Sequence, residues 1–245
     1  MSLLDKISLL VTPNAVKASK LYSVIPSNGT GDLTVVRNTT ATRVNSLGLI
    51  ESVSANVPRL NYDSVGGNPS VLLEPQKTNL ITFSEEINDG VWAKGNAAVL
   101  INNGIAPDGV LSADRVNGTN TGTNAFRLTR NNLNLGSGIY NLSFYVRNNN
   151  SLGTIVVVFL DNVNNNISQI FPITNNTLSD WTRLSVNLNT STAGLNNLNQ
   201  IRFDFRTVSG NITGLENIEF WGAQLEPGDI SSYIPTTSAA VTRNA

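Results

Sequence analysis

Tyr140-Asn141-Leu142-Ser143-Phe144-Tyr145-Val146-Arg147 sets Tyr140, Leu142, Phe144 and Val146 against Asn141, Ser143, Tyr145 and Arg147. A period of two gives one buried and one wet face, which is a strand and not a helix. The pattern continues on either side of this stretch. Ile155 to Leu160 is continuously apolar and β-branched, as in a central strand. Thr182-Arg183-Leu184-Ser185-Val186-Asn187-Leu188 alternates again, with the leucines and the valine inward. Ile201, Phe203 and Phe205 face one way and Arg202, Asp204 and Arg206 the other, and Ile218 and Phe220 open a last strand that runs to about Leu225. Asn148-Asn149-Asn150, Asn162 to Asn166 and Asn175-Asn176 punctuate the runs as turns. Short strands with such spacing predict an antiparallel sandwich. Residues 83–124 supply its first strands through Ala97 to Ile101 and Ala113 to Val116, with Ala106-Pro107-Asp108-Gly109 as a turn.

Residues 1–80 read differently. Apolar runs are short, and Pro13, Pro26, Pro58, Pro69 and Pro75 break them. Ser27-Asn28-Gly29-Thr30-Gly31-Asp32 and Val65-Gly66-Gly67-Asn68-Pro69 read as loop tips, and a helix is expected at most within Leu3 to Lys20. The region is too apolar for a disordered linker and too broken for a large core of its own, so it is expected to pack against the sandwich, another subunit or a larger assembly. The fold class is therefore all-β: an irregular N-terminal region over 1–80, then an antiparallel β-sandwich over 81–245.

Composition excludes much chemistry. The 245 residues include no cysteine and no histidine, which removes disulfides, thiolate nucleophiles, Ser-His-Asp triads and His-ligated metals. Lys+Arg 16 against Asp+Glu 17 leaves a net charge of -1 with no basic run, so no nucleic-acid partner is expected. No apolar run is long enough to cross a membrane as a helix, and Met1 to Val11 has neither the basic start nor the cleavage site of a secretory signal. Asparagine, about 36 residues, takes the place of charge as the main polar group. The Asn-x-Ser/Thr triplets, Asn38-Thr39-Thr40 and Asn211-Ile212-Thr213 among them, occur at the frequency such a composition gives by chance and are not read as glycosylation signals.

Several phrases carry a resemblance. They are Lys20-Leu21-Tyr22-Ser23-Val24-Ile25-Pro26, Ala41-Thr42-Arg43-Val44-Asn45 with Gly48-Leu49-Ile50-Glu51, and Asn56-Val57-Pro58-Arg59-Leu60-Asn61-Tyr62. Leu72-Leu73-Glu74-Pro75-Gln76-Lys77-Thr78-Asn79-Leu80 follows, with Trp221-Gly222-Ala223-Gln224-Leu225-Glu226 and Ser232-Tyr233-Ile234-Pro235-Thr236-Thr237 near the end. In this order they resemble bacteriophage head-fibre, tail-fibre and decoration proteins with a jelly roll similar to carbohydrate-binding modules. The resemblance implies a virion-surface structural protein without catalysis. It also implies an N-terminal attachment part, a homotrimer, capsid or tail proteins as partners, and host or mucosal glycans as ligands. The absence of fibre repeats and of a chaperone domain favours a short head fibre over a tail-associated fibre or adaptor.

Candidate residues follow from placement. Arg43, Glu51, Arg59 and Glu74 are charges set in the apolar N-terminal phrases. They read either as attachment and oligomerisation ion pairs to another chain or as intrachain bridges. Pro26, Pro58 and Pro75 read either as extended arms or as loop punctuation. Tyr145, Trp181 and Trp221, with Trp92, are the rings on which a sugar could stack; Tyr145 and Trp221 have outward parity, and rim packing is the competing reading. Asp161 with Asn162, Asn164 and Asn166 offers oxygens to calcium, but one carboxylate is too little charge, and a turn is expected there rather than a metal. Glu85, Glu86 and Asp89 form no ready acid–base pair on an extended chain. No catalytic residue and no cofactor is expected.

Overall fold

The computed structural model describes residues 6–63, 67–118, 126–148, 153–173, 180–207 and 218–245. The loop tip read at Val65-Gly66 lies partly outside them. Of the turn at Asn148-Asn149-Asn150 only Asn148, the last residue of a strand, lies within them, and the turn at Asn175-Asn176 and the Asn211-Ile212-Thr213 triplet lie wholly outside them. Two compact units emerge: residues 1–77 with 231–234 and 242–245, and residues 78–230 with 235–241. The C-terminal stretch is thus divided between the units, where the sequence reading assigned all of it to the sandwich.

The first unit is built of short strands: β1 (Leu10–Lys17), β2 (Lys20–Ile25), β3 (Leu33–Thr34), β4 (Ala41–Val44), β5 (Ile50–Val53), β6 (Leu60–Asn61) and β7 (Ser70–Val71). They form one three-stranded sheet, β1-β2-β3, and the separate pairs β4-β5 and β6-β7. The stretch read as a possible helix is strand from Leu10, paired with β2. Val11, Thr12 and Val16 favour a strand, and Pro13, which cannot donate, falls where the ladder breaks between Val11 and Val16. Leu21, Ala41, Ile50, Val53, Tyr233 and Ile234 are among the buried apolar residues of this unit.

Strands β8 (Lys77–Asn79) and β19 (Val241–Arg243) lie where the chain passes from one unit to the other. Between them come β9 (Trp92–Gly95), β10 (Ala97–Ile105), β11 (Leu111–Gly118), β12 (Phe126–Arg130), β13 (Ile139–Asn148), β14 (Gly153–Leu160), β15 (Asn166–Ile173), β16 (Thr182–Asn189), β17 (Gln200–Thr207) and β18 (Ile218–Pro227). They make a jelly-roll sandwich of two five-stranded antiparallel sheets, β10-β11-β18-β13-β16 and β15-β14-β17-β12-β9. The quoted stretch is β13, and Leu142, Phe144 and Val146 are fully buried in the core. Ile155 to Leu160 lies in β14, between β15 and β17 as a central strand should.

Rings hold the two layers together. Phe144 and Phe220 of one sheet stack at 5.5 Å, and both meet Phe203 of the other edge-on at 5.0 and 5.2 Å. Such pairs add about 0.5–1.5 kcal/mol each beyond area burial. Trp92 closes the cluster beside Phe203 and Phe220, its Nε1 donating to the Phe83 carbonyl at 3.0 Å. Where β11 leaves β18, residues 79–84 take its place, with Leu80 N donating to Leu225 O and Ala223 N to Ser84 O. Gly222, at φ 65°, makes a bulge in β18, so Phe220 and Ala223 both face the core although their spacing is odd.

Candidate functional site

The outer face of the β10-β11-β18-β13-β16 sheet carries the aromatic candidates. Register sets Arg115 beside Glu219 beside Arg147 in one row, and Trp221 beside Tyr145 beside Arg183 in the next. Outward parity does not expose them. Trp221 is 1% exposed, with Nε1 donating to Ser112 Oγ at 3.2 Å and its ring edge-on to Tyr145 at 5.6 Å. Tyr145 lies under the Arg183 guanidinium at 5.5 Å, and burial, opposed by the Arg183 charge, pushes its phenol up from the ordinary value. Trp181 is half-buried, with Arg147 5.0 Å from its ring centroid and Nε1 donating to Ile105 O at 2.8 Å.

The Trp181–Ile105 bond explains this burial. Trp181 precedes β16 at one edge of the sheet and Ile105 ends β10 at the other, four strand spacings apart, or about 19 Å on a flat sheet. The far half of the β10–β11 hairpin therefore folds across the outer face as a roof. It bends where pairing slips between Leu100 and Gly104, with Asn102 at φ 49°. Gly104 lies against Glu219, which bonds Arg115 and Arg147. Of the predicted rings, Trp221 offers no exposed face, and Tyr145 and Trp181 are each engaged by an arginine.

Beside the roof is a cavity of about 410 Å³, lined by Glu85, Glu86, Asn88, Asp89, Ile101, Asn102, Ser112 and Asp114. Its floor is rigid. Ile87 is fully buried in the core beneath the 85–89 loop, and Lys94 Nζ donates to Asn88 O at 2.7 Å and Asp89 O at 2.9 Å. Asp89 accepts from Val91 N at 2.9 Å, which closes a tight Asx turn. Asp114 enters from β11 at 1% exposure, its Oδ1 accepting Asn102 N at 2.9 Å and its Oδ2 left without a well-formed hydrogen bond. Burial raises the Asp114 carboxyl above its ordinary value, with Glu86 adding to the rise, while the backbone amides of Asn102, Asn88 and Ile87 oppose it. Sequence reasoning considered Glu85, Glu86 and Asp89 on an extended strand, where they point apart; the loop and the distant Asp114 make them one wall. The outer wall can accept hydrogen bonds from hydroxyls, and Asn88, Asn102 and Ser112 can also donate.

The N-terminal candidates pair within the chain. Arg43 and Glu51 face each other across β4 and β5 and join through Arg43 Nε and Nη2 to Glu51 Oε1. Arg59, 3% exposed, donates to Glu74 Oε2 at 2.8 Å, to Ser232 Oγ at 2.8 Å and to Thr42 O. Burial pushes the Glu74 carboxyl up, but Ser232, Arg59 and Arg243 outweigh it and hold the group below its ordinary value. Asp161 caps its own turn by accepting Val163 N and Asn165 N through Oδ1 and the Asn165 amide through Oδ2. That is the expected turn, and among the described residues no group of three or more acidic side chains is placed to hold a metal.

No protein-family model and no curated protein matches the chain. Among solved structures it is similar to the enzymatically active domain of bacteriophage CBA120 tailspike protein 4, at 11% identity and TM-score 0.42 over 60% of this chain and 21% of that one. It is also similar to TmCBM61 in complex with beta-1,4-galactotriose, at 12% identity and TM-score 0.42 over 61% of this chain and 99% of that one. An exo-beta-agarase is a further likeness, at 7% identity and TM-score 0.48 over 62% of this chain and 25% of that one. The chain thus spans about a fifth of the tailspike and a quarter of the agarase.

Proposed function

We propose that the protein is a non-enzymatic bacteriophage structural protein at the virion surface, a short trimeric head fibre or capsid decoration protein. Its N-terminal unit attaches it, and its jelly roll binds glycans. The observation that carries the binding reading is the cavity of about 410 Å³ beside the β10–β11 hairpin, within the size range of small-ligand sites. Carboxylates accept sugar hydroxyls through strong O–H···O⁻ bonds, and the asparagines and Ser112 supply the donors that ring and hydroxyl oxygens need. Three copies per fibre and many fibres per particle turn weak single contacts into useful avidity. The virion reading rests on the sequence phrases described above.

A glycan array probed with labelled full-length protein tests the binding. Glu86 and Asn88 are exposed, so Glu86→Ala and Asn88→Ala leave the core intact. The expected result is a defined set of bound glycans whose signal both variants remove. A silent array, or binding that survives both variants, overturns it. Saturable decoration of particles stripped of this protein tests attachment. Imaging those particles locates the density: the capsid supports the head-fibre reading, and the tail replaces it with a tail-associated fibre or adaptor.

A further inference from the structure

The first unit contains a second cavity, of about 350 Å³, whose walls are Val35, Arg37, Pro58, Arg59, residues 71–75 and Ala245. Most of that lining is apolar, and the two arginines are built into it. Arg37 is 4% exposed and holds its guanidinium in place by donating to four carbonyls, those of Thr39, Val53, Ser54 and Val57. Arg59 is fixed by Thr42, Glu74 and Ser232, and Arg243, behind it, donates to Pro75 O and pairs with Glu74 at 3.4 Å. Arg59 and Arg243 therefore share the Glu74 carboxylate, and Arg37 stands near them with no carboxylate partner among the described residues. Carbonyl partners take four of the five guanidinium N–H groups of Arg37 but leave its charge uncompensated. Burial first, and then Arg59 and Arg243, lower its pKa from the ordinary value, which marks a local excess of positive charge. At the mouth, Leu73 stands 84% exposed, an aliphatic side chain with no cover.

We propose that this cavity docks an extended acidic segment of a partner protein, its carboxylate set against the Arg37–Arg59 wall and a neighbouring apolar side chain against Val71, Leu73 and Pro58. Charge complementarity selects the occupant. Glu74 is the one acidic side chain of the wall and is already shared by Arg59 and Arg243, so Arg37 leaves a positive excess, and the apolar remainder suits a peptide better than a free phosphate or a nucleic-acid backbone, which favour open, wet arginines. The proposal rests on the reading that the N-terminal unit attaches the protein, and it names the chemistry of what that unit grips.

The test is fluorescence anisotropy of the full chain with a labelled peptide of alternating glutamate and leucine, and with the same peptide carrying glutamine for glutamate. The expected results are saturable binding of the acidic peptide, weakening with salt, and binding at least about tenfold weaker, or about 1.4 kcal/mol, for the glutamine version. Arg37→Met and Leu73→Glu should each cost a similar factor. Leu73 is so exposed that its variant folds even if Arg37→Met does not. No binding, equal binding of the glutamine peptide, or indifference to Leu73→Glu overturns the proposal. Equal competition by inorganic phosphate or by a single-stranded oligonucleotide also overturns it, and assigns a plain anion site instead. Decoration of stripped particles separates the two readings. If the Leu73→Glu chain decorates normally, attachment stands and the pocket falls; if the wild-type chain does not decorate but binds the peptide, the reverse holds.

Discussion

Gly104→Ala tests the roofed face directly. A Cβ at Gly104 would lie 2.5 Å from Glu219 Oε1 and 2.7 Å from Cδ, closer than unstrained atoms approach. A carboxylate tip usually swings away from such a contact at little cost. Here it cannot do so freely, because Glu219 is 2% exposed and is held by Arg115 at 3.2 Å and by Arg147 from the other side. Either the two ion pairs distort or the hairpin lifts, which also strains the Trp181–Ile105 bond. Overpacking of this kind costs about 1–3 kcal/mol. For a unit of this size that is a fall in Tm of roughly 2–12 °C. The assay is denaturant unfolding of the wild type, Gly104→Ala, Glu219→Ala and the double variant. If the clash is the cause, Gly104→Ala should cost little once Glu219 is truncated, giving a coupling energy of about 1 kcal/mol or more. Additive effects, or a single-variant cost under about 0.5 kcal/mol, would refute the roofed geometry.

Three further outcomes are expected. Asp114→Asn should gain stability over the wild type as pH rises. The folded carboxyl sits above its ordinary value, so the native protein holds a proton that the unfolded chain releases, and the wild type loses stability with rising pH across that window. Paired unfolding curves from about pH 4 to 7 show it; a constant gap contradicts it. Glu74→Gln should have the opposite dependence. The folded Glu74 carboxyl lies below its ordinary value, so its stabilisation is present above the carboxylate range and is lost as pH falls through the folded pKa, and the gap to Glu74→Gln should close in acid. Trp92→Ala should destabilise the sandwich by about 3–5 kcal/mol, read from calorimetry, because it empties a fully buried site and orphans the Phe83 carbonyl.

Local alternation made much of the sandwich legible. β13, β16 and β17 could each be drawn from the spacing of apolar residues, because a face half in water and half in core writes itself into every second position, and β14 from its unbroken apolar, β-branched run. β9 could not: Trp92-Ala93-Lys94-Gly95 is too short to show a period, and Gly95 is there to leave room for Arg127, 2.7 Å from where its Cβ would be. β15 shows no strand pattern in the sequence, and only Asn166 at its start falls in the Asn-rich turn, because most of its side chains are exposed and only Ile173 is buried. The bulge at Gly222 was hidden for a different reason. It breaks the period of two inside a single strand, so counting from Phe220 would put Ala223 on the wrong face.

The candidate site was less legible, since it depends on contacts between residues far apart in sequence. Parity placed Trp221 correctly on the outer face, but nothing near Trp221 announces that residues about 110 positions earlier fold over it. Charge shows the same limit. A net charge of -1 with no basic run suggested an electrically even chain. In the fold, Glu219 gathers Arg115 and Arg147, Asp204 gathers Arg127, Arg202 and Arg206, and Glu74 gathers Arg59 and Arg243. These hubs take 3 of the 17 carboxylates and 7 of the 16 cations. Carboxylates therefore outnumber cations in the rest of the chain, and Glu85, Glu86 and Asp89 of the sandwich cavity belong to that remainder. Concentrating arginine at a few hubs is what leaves the 85–89 loop acidic in a nearly neutral sequence.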